Sequence, residues 1–400
     1  MLAAWMRMKY PGLIAGAVAS SAPVLAFEGL HPPADAGSYA RIVTFDAGPG
    51  AGAAPGCSAA VRRAWRALFE LGGSEGGRRM ARAALGLCPG APLDDAADVL
   101  ATAEWLQSAL DYIAMGNFPY ESSYITNGGG VLPAFPMRVG CELMAEAVAA
   151  PEPTATALLS GLAGFAALFY NASGDLPCLD WTRGANPETD LVALLWDFQS
   201  CTEMLMPMSR DGVRDMFWEQ PWSRERFAAG CRERFGVEPI RNWAATQWGG
   251  HGALRDATNI FFANGEYDPW RGGGVAPTMS QGITSVVIPR AAHHLDLMFS
   301  NPNDTAEVKH VRKMQTDHIT RWILKHCRRE NAKTEDVSRE GPRETMPFFQ
   351  AKSNMVKIFG QGLSYSHACV APLAVMCVLL VVTCAVLGGI VFGFWNDRSH

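Results

Sequence analysis

Asp268 and His293 are the residues of this chain whose types and spacing could do chemistry. Asp268 lies in NGEYDPWRGGG, directly after the buried-strand run Asn259 to Ala263. His293 lies in PRAAHHLDL, directly after a second strand-like run, Ile283 to Ile288. Loops at the carboxyl ends of parallel strands are where α/β folds place their active groups. In α/β-hydrolases the chain order is nucleophile, then acid, then histidine. The carboxylate orients the imidazole and stabilises its cation, and the imidazole takes the proton of the nucleophile. Asp268 before His293 fits the last two members of that order. Spacing alone favours a plainer reading, a turn aspartate before a proline and a histidine pair at the edge of the core. A metal reading of His293 and His294 is weaker still. Adjacent residues tend to point apart, and no His-Glu-x-x-His accompanies them.

A nucleophile is harder to find. One match to Gly-x-Ser-x-Gly exists, Gly72-Gly73-Ser74-Glu75-Gly76. A nucleophile elbow needs a strand before it and a helix after it. Ser74 instead follows the amphipathic stretch Ala60 to Leu71, so a glycine-rich helix–helix loop is the expectation there.

The elements that must position these residues change character along the chain. Residues 1–27 form a short helix-then-strand unit. Residues 28–250 are mostly helical, with 3.6-residue periodicity in Ala60 to Leu71, Leu100 to Met115 and Ala155 to Tyr170. Breaks such as Pro89-Gly90 and Gly128-Gly129-Gly130 separate them. Residues 251–328 carry the two strands, their loops and an amphipathic helix, Asp304 to Arg328. Residues 329–367 are polar, charged and poorly periodic, as expected of a juxtamembrane linker. Hydrophobic residues make up 48% of the chain and charged residues 18%, with a net charge of -5. Without a basic surplus, nucleic-acid binding is excluded as a main function.

Part of the apolar surplus lies in residues 368–395, which hold no charged residue. About 20 apolar residues cross a ~30 Å hydrocarbon layer. A single transmembrane helix is expected there, followed by a short tail, 396–400. A lipid-anchor signal is the rival reading. Cys57, Cys88, Cys141, Cys178, Cys201 and Cys231 form no Cys-x-x-Cys pair, and their even number suits three disulfides in an oxidising lumen. Two glycosylation sequons begin at Asn171 and Asn303. Together these features place the body of the protein in the secretory or lysosomal lumen, or outside the cell. The first 30 residues fit either a signal peptide or an internal segment of a larger fold.

MLAAWMRMKYPGLIAGAVASSAPVLAF closely resembles the segment just after the catalytic serine in one family of serine exopeptidases. That family contains lysosomal prolyl carboxypeptidase, dipeptidyl peptidase II and thymus-specific serine protease. The resemblance continues through FPYESSYI, WDFQSCTEMLMP, TNIFFANGEYDPWRGGG and AAHHLDL, over about residues 1–325. It implies a partial α/β-hydrolase with a large inserted helical cap, to which the C-terminal span is added. Family members carry Gly-Gly-Ser-Tyr-Gly-Gly immediately before the methionine that matches Met1. The nucleophile is therefore expected upstream of Met1, and the chain of 400 residues is expected to be inactive alone.

The resemblance further implies that Asp268 is the triad acid, His293 the triad base and His294 a second, non-triad histidine. Met1, Met206 and Trp270 match apolar positions around a proline ring. Asp197, in WDFQSCTE, matches an aspartate of the dipeptidyl peptidase II side, where a carboxylate holds a free α-ammonium. This leans the expectation toward release of N-terminal dipeptides after Pro or Ala. A Pro-Xaa carboxypeptidase is the first alternative, and a non-catalytic surface or binding protein the second. The implied disulfides are Cys57–Cys141, Cys88–Cys178 and Cys201–Cys231, with Cys327 left unpaired. No metal or organic cofactor is implied. The expected partners are peptides with Pro or Ala near a terminus, the membrane, and a second copy in a homodimer.

Overall fold

The structure is a computed structural model that describes residues 1–147, 153–182, 187–277 and 282–339. It opens with helix α1 (Leu2–Lys9), whose last turn carries Arg7 and Lys9. Cations there oppose the negative end of the helix dipole. Strand β1 (Ala17–Ser20) follows. It pairs in parallel with β2 (Ile260–Gly265), which pairs in parallel with β3 (Ile283–Ile288). The order is β1-β2-β3, so β2 is central. Every residue of β2 is buried. A central parallel strand is covered on both faces, which is why IFFA runs apolar without alternation.

Residues 21–259, between β1 and β2, are a helical excursion. It comprises α2 (Ser38–Asp46), α3 (Cys57–Gly72), α4 (Glu75–Ala84), α5 (Ala96–Met115), α6 (Pro136–Ala147), α7 (Ala155–Tyr170), α8 (Pro187–Thr202), α9 (Arg224–Phe235), α10 (Trp243–Trp248) and α11 (Gly250–Asp256). The polar starts of these helices are written locally. Asp95 caps α5 by accepting from the N–H groups of Ala97 and Asp98, and Thr154 caps α7. Ser74 caps α4, its Oγ accepting from the Gly77 N–H. The Gly-x-Ser-x-Gly match is thus a helix–helix corner, as expected, since Ser74 satisfies an otherwise orphaned N–H.

Two hydrophobic cores result. One joins α3, α5, α6 and α7 through Trp65, Leu68, Leu110, Met144, Leu159 and Phe165. Gly140 allows the tightest approach there: a Cβ would stand 2.0 Å from the Phe165 ring. The other packs Trp5, Ala19, Phe27, Leu254, Ile260 and Phe262 around the sheet. The three implied disulfides are present: Cys57–Cys141, Cys88–Cys178 and Cys201–Cys231. Each closes a loop of 30 to 90 residues, which restricts the unfolded chain.

Two expectations change. Cys327 is not free but disulfide-bonded. Helix α12 (Ala306–Arg339) continues past Arg328, into the stretch read as linker. Residues 329–339 have no apolar stripe, but they also hold no Gly or Pro, and the first breaker is Gly341-Pro342. The chain divides into two compact units, Met1–Asp317 and His318 onward. In the first, Val308 and Val311 of α12 are buried. In the second, the His318 ring packs edge-on to Trp322. Among the described residues no helix is long and apolar enough to cross a membrane. The span expected at residues 368–395 and the tail 396–400 lie outside them.

Candidate active site

The parallel register brings the ends of β1, β2 and β3 together. Beyond β2 the chain enters a short 3-10 turn, Pro269–Gly273, capped by Asp268, whose carboxylate accepts from the Trp270 N–H at 3.0 Å. Pro269 suits the first position of that turn because it has no N–H to satisfy. Beyond β3 the loop is strapped to the same place. The Ala291 carbonyl accepts from the Tyr267 N–H at 2.9 Å. The His293 N–H donates to the Met115 carbonyl at the end of α5, at 3.1 Å.

These straps set His293 Nδ1 at 3.1 and 3.2 Å from the two oxygens of Asp268. Asp268 is fully buried and His293 is largely buried. An Nδ1–H donated to the carboxylate leaves Nε2 free to accept a proton, the arrangement of a general base and its orienter. Burial works against the ionised form of Asp268. The positive character of His293 and hydrogen bonds from His293, Ser21 and the Trp270 N–H outweigh it and hold the carboxyl below its ordinary range.

His294 stands beside the dyad. Its backbone is left-handed, with φ at 60°, which turns its ring onto His293 at a centroid distance of 3.9 Å. The His294 N–H donates to Ser21 Oγ at 2.9 Å. Burial lowers the His294 pKa to about 4, and His293 adds to this while Asp268 opposes it. His294 is therefore a neutral ring at ordinary pH.

The remaining sequence-derived residues divide. Trp270 is brought to the site: its Nε1–H donates to Met115 S at 3.1 Å, and its ring meets Tyr39 and Trp196 edge-on at 5.1 and 6.2 Å. Met1 and Met206 pack on the sheet-side core. Asp197 is paired with Arg234 of α9 at 2.8 Å, both partly exposed. Phe198 and Phe235 pack edge-on beside that pair, and Cys201–Cys231 joins the same two helices. Asn171 ends α7, its amide bridging the N–H and carbonyl of Leu176. Asn303 is exposed in the loop before α12. Among the described residues no serine hydroxyl lies within hydrogen-bond distance of His293 Nε2.

Sequence reasoning missed several buried polar groups here. Ser20 ends β1 and Ser21 follows it, and Asp296 lies three residues after His293. Asp46, at the end of α2, is fully buried. Burial, and next the charge of Asp268, push its carboxyl well above its ordinary range, against the influence of Asn117 and Arg271. A polar pair closing a small-residue strand was the one sequence feature that pointed to Ser20 and Ser21. Nothing local marked Asp46.

A family model for serine carboxypeptidase S28 matches residues 1–315. The chain belongs to the serine carboxypeptidase S28 family. Its relatives include the lysosomal Pro-X carboxypeptidase of Bos taurus, 37% identical over 323 residues, which are 81% of this chain and 61% of that protein. The Homo sapiens protein of the same name is 35% identical over the same shares. The thymus-specific serine protease of Mus musculus is 25% identical over 337 residues, 80% of this chain and 62% of that protein. The chain thus spans about 61% of the length of the Pro-X carboxypeptidases it matches.

Proposed function

We propose that the protein is a serine-type exopeptidase that cuts next to proline, with Asp268 and His293 as two members of its triad. The observation that carries this reading is the Asp268–His293 contact at neighbouring strand ends in a chain of the S28 family. The fold is then that of an α/β-hydrolase whose cap is the helical excursion between β1 and β2. The nucleophile is a serine that enters the site at the N-terminal end of α1, ahead of Met1. Its Oγ attacks the scissile carbonyl carbon while its proton passes to His293 Nε2. The C–N bond then breaks, and the same proton goes to the leaving amine. Water, deprotonated by His293, releases the acyl group and restores the serine. Asp268 stays ionised throughout.

Of the two polarities, we favour carboxypeptidase action on a Pro-Xaa end over dipeptide release. Two observations support it. The relatives at 35–37% identity bear the name Pro-X carboxypeptidase. Asp197, the residue that favoured dipeptide release, is engaged by Arg234 rather than free to meet an ammonium. Trp270, with Trp196 and Tyr39 edge-on to it, offers apolar walls suited to a proline ring, which has no side-chain donor to satisfy. A lumenal body held at a membrane by residues 368–395, glycosylated at Asn171 and Asn303, belongs to the same reading.

The test is fluorophosphonate labelling of the protein as its own cells make it, with the labelled peptide mapped by mass spectrometry. A labelled serine just ahead of Met1 supports the reading; labelling at Ser74, or at no serine, sinks it. In the same preparation His293→Gln or Asp268→Asn should lower kcat/KM by roughly 10³–10⁴-fold. Peptides blocked at the amino end should still be cut, and peptides amidated at the carboxyl end should not. The reverse pattern restores dipeptide release.

A further inference from the structure

A second hydrogen-bonded chain, from α12 through the turn after His294 to the end of β1, reaches the His294 ring. Asp296 is 5% exposed, in the short turn after His294. Its Oδ2 accepts from Gln315 Nε2 of α12 at 2.6 Å, and its Oδ1 accepts from Ser20 Oγ at 2.5 Å. Ser20, the last residue of β1, is 4% exposed. Its Oγ lies 3.4 Å from His294 Nδ1. Arg312 fastens the same turn by donating to the carbonyls of Leu295 and Asp296.

We propose that Ser20 and Asp296 are positioning residues that fix the tautomer and orientation of His294, and through it the packing of His293. A serine hydroxyl has one hydrogen and two lone pairs. The short bond to Asp296 uses that hydrogen, so Ser20 faces His294 as an acceptor. His294 must then carry its hydrogen on Nδ1 and leave Nε2 bare. The ring that results is neutral and held in one orientation, 3.9 Å from His293. This matters because His293 gains a positive charge when it takes a proton. A neighbour locked as a neutral ring adds no like charge to that imidazolium. Two serines in sequence thus serve the two histidines separately: Ser21 receives the His294 N–H and supports Asp268, while Ser20 sets the His294 ring.

The inference rests on the proposed peptidase reading only for its effect on rate. The tautomer is read without any assay. The protein contains nine histidines, so ¹⁵N-histidine labelling of the full protein, with His294→Gln to assign the signal, reports both ring nitrogens of His294. The expected result at neutral pH is a neutral ring protonated on Nδ1. Asp296→Asn is the sharper variant. Its amide Nδ2 would donate to Ser20, free the Ser20 hydrogen for His294 Nδ1, and move the ring proton to Nε2. Ser20→Ala should release the tautomer into a mixture, and Ser20→Thr should keep it. Where the protein cuts peptide, Ser20→Ala should lower kcat per titrated active site by about three- to tenfold, the worth of one hydrogen bond, with KM unchanged and Ser20→Thr restoring it. An Nε2-protonated ring in the parent, or a tautomer indifferent to both Ser20→Ala and Asp296→Asn, overturns the proposal. Complete absence of peptide cleavage with the expected tautomers would defeat the peptidase reading and leave this one standing.

Discussion

Gly265 and Ala291 stand so close that a methyl group on Gly265 would meet the Ala291 carbonyl oxygen at 2.3 Å and that of Ala292 at 2.7 Å. Gly265 ends β2 three residues before Asp268, and Ala291 precedes His293 by two. The loop that carries the base therefore lies directly on the strand that carries the acid. No flexible side chain separates them, so any added atom pushes backbone against backbone.

Gly265→Ala should accordingly damage site and fold together. Overpacking of this kind costs about 1–3 kcal/mol. A shift of the His293 loop by even 1 Å should lower kcat/KM by roughly 10²-fold. Urea unfolding and steady-state kinetics check the two effects. Unchanged kinetics in a folded variant would mean that the loop adjusts without moving His293.

His294 makes the fold sensitive to acid. Burial lowers its pKa to about 4 from the ordinary 6.5. Between those values the unfolded chain holds a proton that the folded chain does not, so stability falls as pH drops from about 6.5 to about 4. The loss should be on the order of 3 kcal/mol. His294→Gln should flatten that slope. Denaturant midpoints at pH 7, 5.5 and 4.5 provide the measurement, and parallel curves for parent and variant would count against a buried neutral His294.

Asp46 acts with the opposite sign. Its carboxyl is raised by burial and by Asp268, so above the ordinary aspartate range the folded chain keeps a proton that the unfolded chain has lost. Stability from this group is present in acid and declines as pH rises toward the folded pKa. Asp46→Asn should therefore raise stability near neutral pH by about 1–3 kcal/mol and give little gain at pH 4. A variant less stable than the parent at pH 7 would show that the carboxylate is needed in its ionised form.

Much of the fold was legible in order of residues. The strands at Ala17–Ser20, Ile260–Gly265 and Ile283–Ile288 were readable because small or uninterrupted apolar runs bounded by turns suit a buried parallel sheet. The helices Cys57–Gly72 and Ala155–Tyr170 were readable from their 3.6-residue period. The disulfide pairing came from the resemblance, since six cysteines alone permit fifteen connectivities. The end of α12 was misplaced because helix propensity without an apolar stripe leaves no periodic trace.

The sequence by itself determined that Asp268 and His293 follow two strands, and that Ser74 follows a helix and is no elbow. These are local facts, written in adjacent residues. Only the tertiary structure decided that Asp197 meets Arg234, that Asp46 lies buried near Asp268, and that Ser20 reaches Asp296 and His294. Those contacts join residues up to 276 positions apart. The contact of Ser20 with the Asp296 turn arises because a parallel sheet brings the ends of distant strands to one edge, while Asp197 meets Arg234 where two cap helices are joined by Cys201–Cys231. Spacing along the chain carries no record of that meeting.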